Sequence, residues 1–140
     1  MAALTPHHAI VQEVVTDYPK TQAIYLFGSW GTDKEWPDSD VDIALLLPVL
    51  QAVQLGSLLL KPLRFSLESM LKKPVDLINL RQVSTVFQKE IIFSERLIFC
   101  EDRYAVDEFE MMVLSYYQKL NDERKFILDE FWKTGRAYAV

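Results

Sequence analysis

Three aspartates and one Gly-Ser pair carry the chemistry that can be read from this 140-residue chain. Asp40 and Asp42 flank Val41. In a strand, residues two apart point to the same face, so the two carboxylates project together while Val41 and Ile43 turn toward the core. Adjacent like charges repel, and one of the two tends to keep a proton unless a cation lies between them. A divalent metal removes that conflict. Magnesium prefers hard oxygens and commonly takes one or two carboxylates together with substrate phosphates. Asp76 lies between Val75 and Leu77 in another apolar run. If that run pairs beside the strand of Asp42, a third carboxylate joins the same face. It then either completes a second metal site or accepts a proton from an attacking hydroxyl. Two metals would stabilise both the attacking and the leaving oxygen of an in-line displacement.

Gly28-Ser29 follows the apolar run Ala-Ile-Tyr-Leu-Phe. Glycine lets a phosphate approach the backbone closely, and the N–H groups of a following turn, with the Ser29 hydroxyl, hold phosphate oxygens. The implied geometry is a triphosphate on the Gly-Ser turn, metal on the aspartates and a nucleophile arriving near Asp76. Taken singly, each feature has a plainer reading. An Asp-x-Asp is a common solvent-facing pair, Gly-Ser is an ordinary turn, and Asp76 is a charge that protects an edge strand. The joint arrangement favours the site, because the three plain explanations would have to hold independently.

The elements that position these residues follow from local patterning. Thr5 before Pro6 is an N-cap followed by proline at the first helical position, and Ile10, Val11, Val14 and Val15 carry a helix to about residue 18. Strands are expected over 23–27, 40–47, 74–80 and 97–100. A short turn or helix plus a loop fills 30–39. The leucine-rich stretch 49–70 is helical, interrupted or kinked at Gly56 and Pro62. Ser84 caps a helix to about residue 95. From about Val106, apolar residues at helical spacing (Phe109, Met112, Val113, Tyr116, Tyr117, Leu120, then Phe126, Ile127, Phe131 and Trp132) predict one long helix or two. Such a helix outruns a domain of this size, so part of it should pack on something else. The sum is an α/β (α+β) domain around a small mixed sheet flanked by helices.

Composition narrows the class. Half of the residues are hydrophobic, enough for one compact core. A net charge of −5 disfavours general DNA or RNA binding, which relies on Lys and Arg. No apolar stretch approaches the length that spans a bilayer, and the first residues lack the pattern of a signal peptide, so no membrane association and a cytoplasmic location are expected. Cys100 is the single cysteine, which excludes a disulfide within the chain and a cysteine-based zinc site. It reads as a small buried hydrophobe, while His7 and His8 read as surface residues.

Gly28-Ser29, ten residues, then Asp40-Val41-Asp42, with Pro37-Asp38-Ser39 leading in, resembles the signature of the DNA polymerase beta-like nucleotidyltransferase superfamily. The short length is similar to that of its minimal members, the MNT proteins. The resemblance covers about residues 5–101. It implies the nucleotidyltransferase fold, ATP as substrate, triphosphate contacts from Gly28 and Ser29, and magnesium on Asp40 and Asp42. It also implies a third active-site carboxylate, for which Asp76 is the candidate as base, metal ligand or both. Many MNT proteins are antitoxins paired with a HEPN-domain ribonuclease toxin, and some neutralise it by moving AMP from ATP onto a toxin tyrosine. On this reading, 1–101 is the catalytic domain and 102–140 a C-terminal helical extension that meets the partner. The alternatives are an adenylyltransferase acting on a small hydroxylated molecule and an antitoxin that acts by occlusion alone. The turn after Gly-Ser departs from the family, which often carries a basic residue and a later glycine there. Here it reads Trp30-Gly31-Thr32-Asp33.

Overall fold

The computed structural model describes residues 5–134. Helix α1 (Pro6–Asp17) opens as its cap predicts, with Thr5 Oγ1 accepting from the His8 N–H at 3.1 Å. Strands β1 (Ala23–Phe27) and β2 (Val41–Leu46) follow, then helices α2 (Val49–Leu55) and α3 (Pro62–Leu71). The leucine-rich stretch is thus two helices. Gly56 terminates the first and Pro62 stands in the first turn of the second, where its missing N–H costs nothing. Strand β3 (Val75–Asn79), a 3-10 turn at Leu80–Gln82, helix α4 (Thr85–Phe93), strand β4 (Leu97–Cys100) and helix α5 (Arg103–Thr134) complete the chain. Ser84 caps α4 by accepting from the Phe87 N–H. Residues 30–39 form turns without a helix.

The sheet order is β3-β2-β1-β4. β1 runs antiparallel to β2 and to β4, while β2 and β3 are parallel, so the sheet is mixed. Helices cover both faces. Ile24, Leu26, Ile43, Leu45 and Leu77 meet Ile10 and Val14 of α1, Ala52 of α2 and Leu63 and Leu67 of α3. On the other face Ala23, Tyr25, Ala44 and Leu46 meet Ile91 and Ile92 of α4 and Val106, Phe109 and Val113 of α5. The period-2 alternation of the central strands therefore feeds two separate cores, and the strands read as nearly continuous apolar runs.

The long C-terminal pattern is one helix of 32 residues. Val106, Phe109 and Val113 are its buried residues and belong to the core; beyond them the helix continues past the domain, and Trp132 is 78% exposed. Residues 1–4 and 135–140, which end the two expected segments 1–101 and 102–140, lie outside the described residues. One expectation is corrected: Cys100 is exposed, because it ends the edge strand β4. His7 and His8 lie on the surface as expected.

Candidate active site

β1 is antiparallel to β2 and β2 parallel to β3, so the end of β1 lies beside the starts of the other two. The site forms at that edge. Phe27, the last residue of β1, is the register partner of Asp42, and Asp42 is the register partner of Asp76. Asp42 therefore stands between the Gly28-Ser29 turn and Asp76. Asp40 sits one residue before β2 and is exposed. The three sequence-predicted aspartates thus converge on one edge of the sheet.

β2 is flanked by β3 and β1 and covered on both faces, so Asp42 interrupts an otherwise buried apolar strand. A solvent-facing surface pair does not describe it. Burial first, then the negative charges of Asp76 and Asp40, raise its carboxyl pKa to about 6 against the opposing pull of Arg96. Among the described residues no three His, Cys, Asp or Glu groups are gathered closely enough to hold an ion by themselves. The residues nevertheless fit magnesium. They are hard carboxylate oxygens at an electrostatically frustrated position, and magnesium ordinarily draws its remaining ligands from water and substrate phosphates.

Gly28 has φ +73, a left-handed conformation that glycine adopts without strain, and a Cβ placed there would lie 2.0 Å from Asp42 Oδ2. The turn beyond it closes with the Thr32 N–H donating to the Ser29 carbonyl at 3.0 Å. Trp30 packs its ring against the α1–α3 core and so anchors the turn.

Several residues that sequence reasoning passed over complete the site. Ser39, only 2% exposed, pairs its hydroxyl with that of Ser29 at 3.0 Å and accepts from the Trp36 N–H at 2.9 Å. Lys73 Nζ donates to the Pro37 carbonyl at 3.1 Å and ties the same loop to the start of β3. Arg96, just before β4, donates to the carbonyls of Gly28 and Trp30. Ser39 stood in the Asp-Ser-Asp run and was open to notice. Lys73 and Arg96 carry no mark in the sequence.

A Gly-Ser turn against two carboxylates in parallel register offers backbone N–H groups to anionic oxygens and hard oxygens to a divalent cation. The family model described as polymerase beta, nucleotidyltransferase, matches residues 10–104. The chain belongs to that family. As a nucleotidyltransferase it is similar to the protein adenylyltransferase MntA of Shewanella oneidensis, with 34% identity over 131 residues, 93% of this chain and 90% of that protein. Among solved structures it is similar to a chain of a toxin–antitoxin with AMP-PNP, at 29% identity and a TM-score of 0.67 over 90% of this nucleotidyltransferase and 98% of that chain. It is also similar to a chain of the tri-AMPylated Shewanella oneidensis HEPN toxin in complex with MNT antitoxin, at 28% identity and a TM-score of 0.63 over 91% and 96% of the two. Among the described residues, no helix of the nucleotidyltransferase is long and apolar enough to cross a membrane.

Proposed function

We propose that this nucleotidyltransferase is a magnesium-dependent antitoxin that transfers AMP from ATP onto a tyrosine of a cognate HEPN-domain toxin and so neutralises it. The observation that carries the reading is the register pairing of Asp42 with Asp76 beside the Gly28-Ser29 turn. Its similarity to MntA and to chains of toxin–antitoxin complexes supports the choice of acceptor.

Asp40, Asp42 and Asp76 are the residues that would hold magnesium. When bound, magnesium neutralises the phosphates and steadies the charge that builds on them during displacement. The Gly28-Ser29 turn binds the terminal phosphates through its N–H groups and the Ser29 hydroxyl, which leaves the α-phosphorus facing Asp76. A tyrosine hydroxyl, with an unperturbed pKa of about 10, needs a base near neutral pH. Asp76 accepts that proton. The phenolate oxygen forms a bond to the α-phosphorus as the bond from that phosphorus to the bridging oxygen breaks. Pyrophosphate leaves with the electron pair, and AMP stays on the tyrosine.

In this reading the part of α5 beyond its last buried residue, Val113, is the extension that presents Phe126, Ile127 and Trp132 to the toxin. The protein acts in the cytoplasm, without direct contact to nucleic acid.

The test is to co-express the chain with the product of its neighbouring coding sequence, purify the pair and incubate it with ATP and magnesium. Intact mass should show AMP-sized additions on the partner, absent with Asp42→Asn. A stable complex without any addition would replace catalysis with occlusion. Modification of a small hydroxylated molecule without a partner would replace the acceptor.

A further inference from the structure

Arg96 hydrogen-bonds to none of the three site aspartates, yet it holds the turn that faces them. Its backbone is fixed first, because its carbonyl accepts from the Leu26 N–H of β1 at 2.9 Å. Its side chain then reaches over the end of β1. Nη1 donates to the Gly28 carbonyl at 3.1 Å and Nη2 to the Trp30 carbonyl at 2.5 Å. One planar guanidinium thus grips two carbonyls of the same turn, which a lysine ammonium cannot do with the same fork.

The grip has a consequence for the other side of the turn. The chain has no cis peptides among the described residues, and a trans peptide points its C=O and N–H in opposite directions. With the Gly28 and Trp30 carbonyls turned toward Arg96, the N–H groups of the following residues, Ser29 and Gly31, are turned away from it. The Gly31 N–H already holds an anionic oxygen there, donating to Glu35 Oε1 at 2.6 Å. The Ser29 N–H has no acceptor among the described residues. Backbone N–H groups turned to one side of a tight turn offer an anion a set of donors. The fit is close: a Cβ at Gly31, where φ is +80, would lie 2.8 Å from Arg96 Nη2.

We propose that Arg96 is the positioning residue of the phosphate turn, fixing its peptide planes so that Ser29 and Gly31 present N–H groups to the triphosphate, and that the Glu35 carboxylate holds the place of a phosphate oxygen until nucleotide displaces it. The proposal rests on the reading of this turn as the nucleotide-phosphate site. It predicts opposite effects for the two side chains. Loss of Arg96 disorganises the donors, whereas loss of the Glu35 charge removes a competitor.

The experiment uses the full chain as wild type, Arg96→Met, Arg96→Lys and Glu35→Gln, with two readouts. The first is the backbone amide resonances of the nucleotide-free protein. In Arg96→Met those of Ser29 and Gly31 should shift or broaden while those of Ile43 and Leu45 stay in place, and Arg96→Lys should fall between. The second is the affinity for AMP-PNP with magnesium. It should weaken about tenfold or more in Arg96→Met and tighten severalfold in Glu35→Gln, a tenfold change being about 1.4 kcal/mol. Unchanged Ser29 and Gly31 amides in both Arg96 variants would overturn the proposal whatever the nucleotide does. So would wild-type affinity in Arg96→Met, or weaker binding in Glu35→Gln. If wild type binds no AMP-PNP, the proposed function fails, and the amide readout still decides whether Arg96 sets the turn.

Discussion

A Cβ on Gly28 and the carboxylate of Asp42 would occupy the same space: the built atom lies 2.0 Å from Asp42 Oδ2. The phosphate turn and the proposed metal ligand are therefore one unit, joined across β1 and β2 at the Phe27–Asp42 register pair. Gly28→Ala should strain a left-handed residue by about 1 kcal/mol and rotate Asp42 out of place. AMP transfer is expected to fall about a hundredfold or more, since small misplacements of reacting groups are costly. Circular dichroism should still report a folded chain; wild-type rates in Gly28→Ala would refute the coupling.

The raised pKa of Asp42, about 6 against an ordinary 3.8, has a sign that can be worked out. Between those values the folded protein binds more protons than the unfolded chain, so stability falls as pH rises. The contribution of Asp42 is complete below the lower value and lost above the upper one. In chelator, the melting temperature should decline across this window, and Asp42→Asn should lessen the decline while abolishing transfer. Added magnesium should raise the melting temperature more at pH 8 than at pH 5. Equal magnesium effects at both pH values would place the ion elsewhere.

Ser39 is buried and serves both the Ser29 hydroxyl and the Trp36 N–H. Ser39→Ala leaves those two groups short of a partner and should cost about 1–2 kcal/mol in stability. The apparent KM for ATP should rise because Ser29 loses its tether. Urea titration and steady-state kinetics measure the two effects, and an unchanged KM would remove Ser39 from the site.

The extension can be separated from the core by where α5 is cut. Phe109 and Val113 are core residues, so a break before them would unfold the domain. A chain ending at Lys119 keeps them and removes Leu120, Phe126, Ile127 and Trp132, whose apolar side chains are exposed. The shortened protein should melt within a few degrees of the full chain and fail to co-purify with its partner. Retained co-purification would move the interface to the body of the domain.

Local chemistry was legible where it depends on near neighbours. The caps Thr5 and Ser84, the break at Pro62 and the four apolar strand runs all follow from backbone geometry over a few residues. What lies far apart in the chain left weaker marks or none. Arg96 is 68 residues from Gly28, and Lys73 is 36 residues from Pro37. Cys100 was misread for the same reason: an apolar run marks a strand but does not say whether it lies at the edge of the sheet.

The sequence by itself determined which residues are candidates for the chemistry and that Asp42 and Asp76 each stand within a strand, on a face set by side-chain alternation, which is a property of the strand alone. Tertiary structure alone decided that the sheet runs β3-β2-β1-β4. That order depends on how the chain closes its loops and fills two cores at once. It puts β3 parallel to β2, sets Asp76 opposite Asp42, and lets Arg96 reach across the end of β1 to the Gly28 turn. With the same residues and β3 paired elsewhere, the carboxylates would be scattered and the turn would have nothing to face.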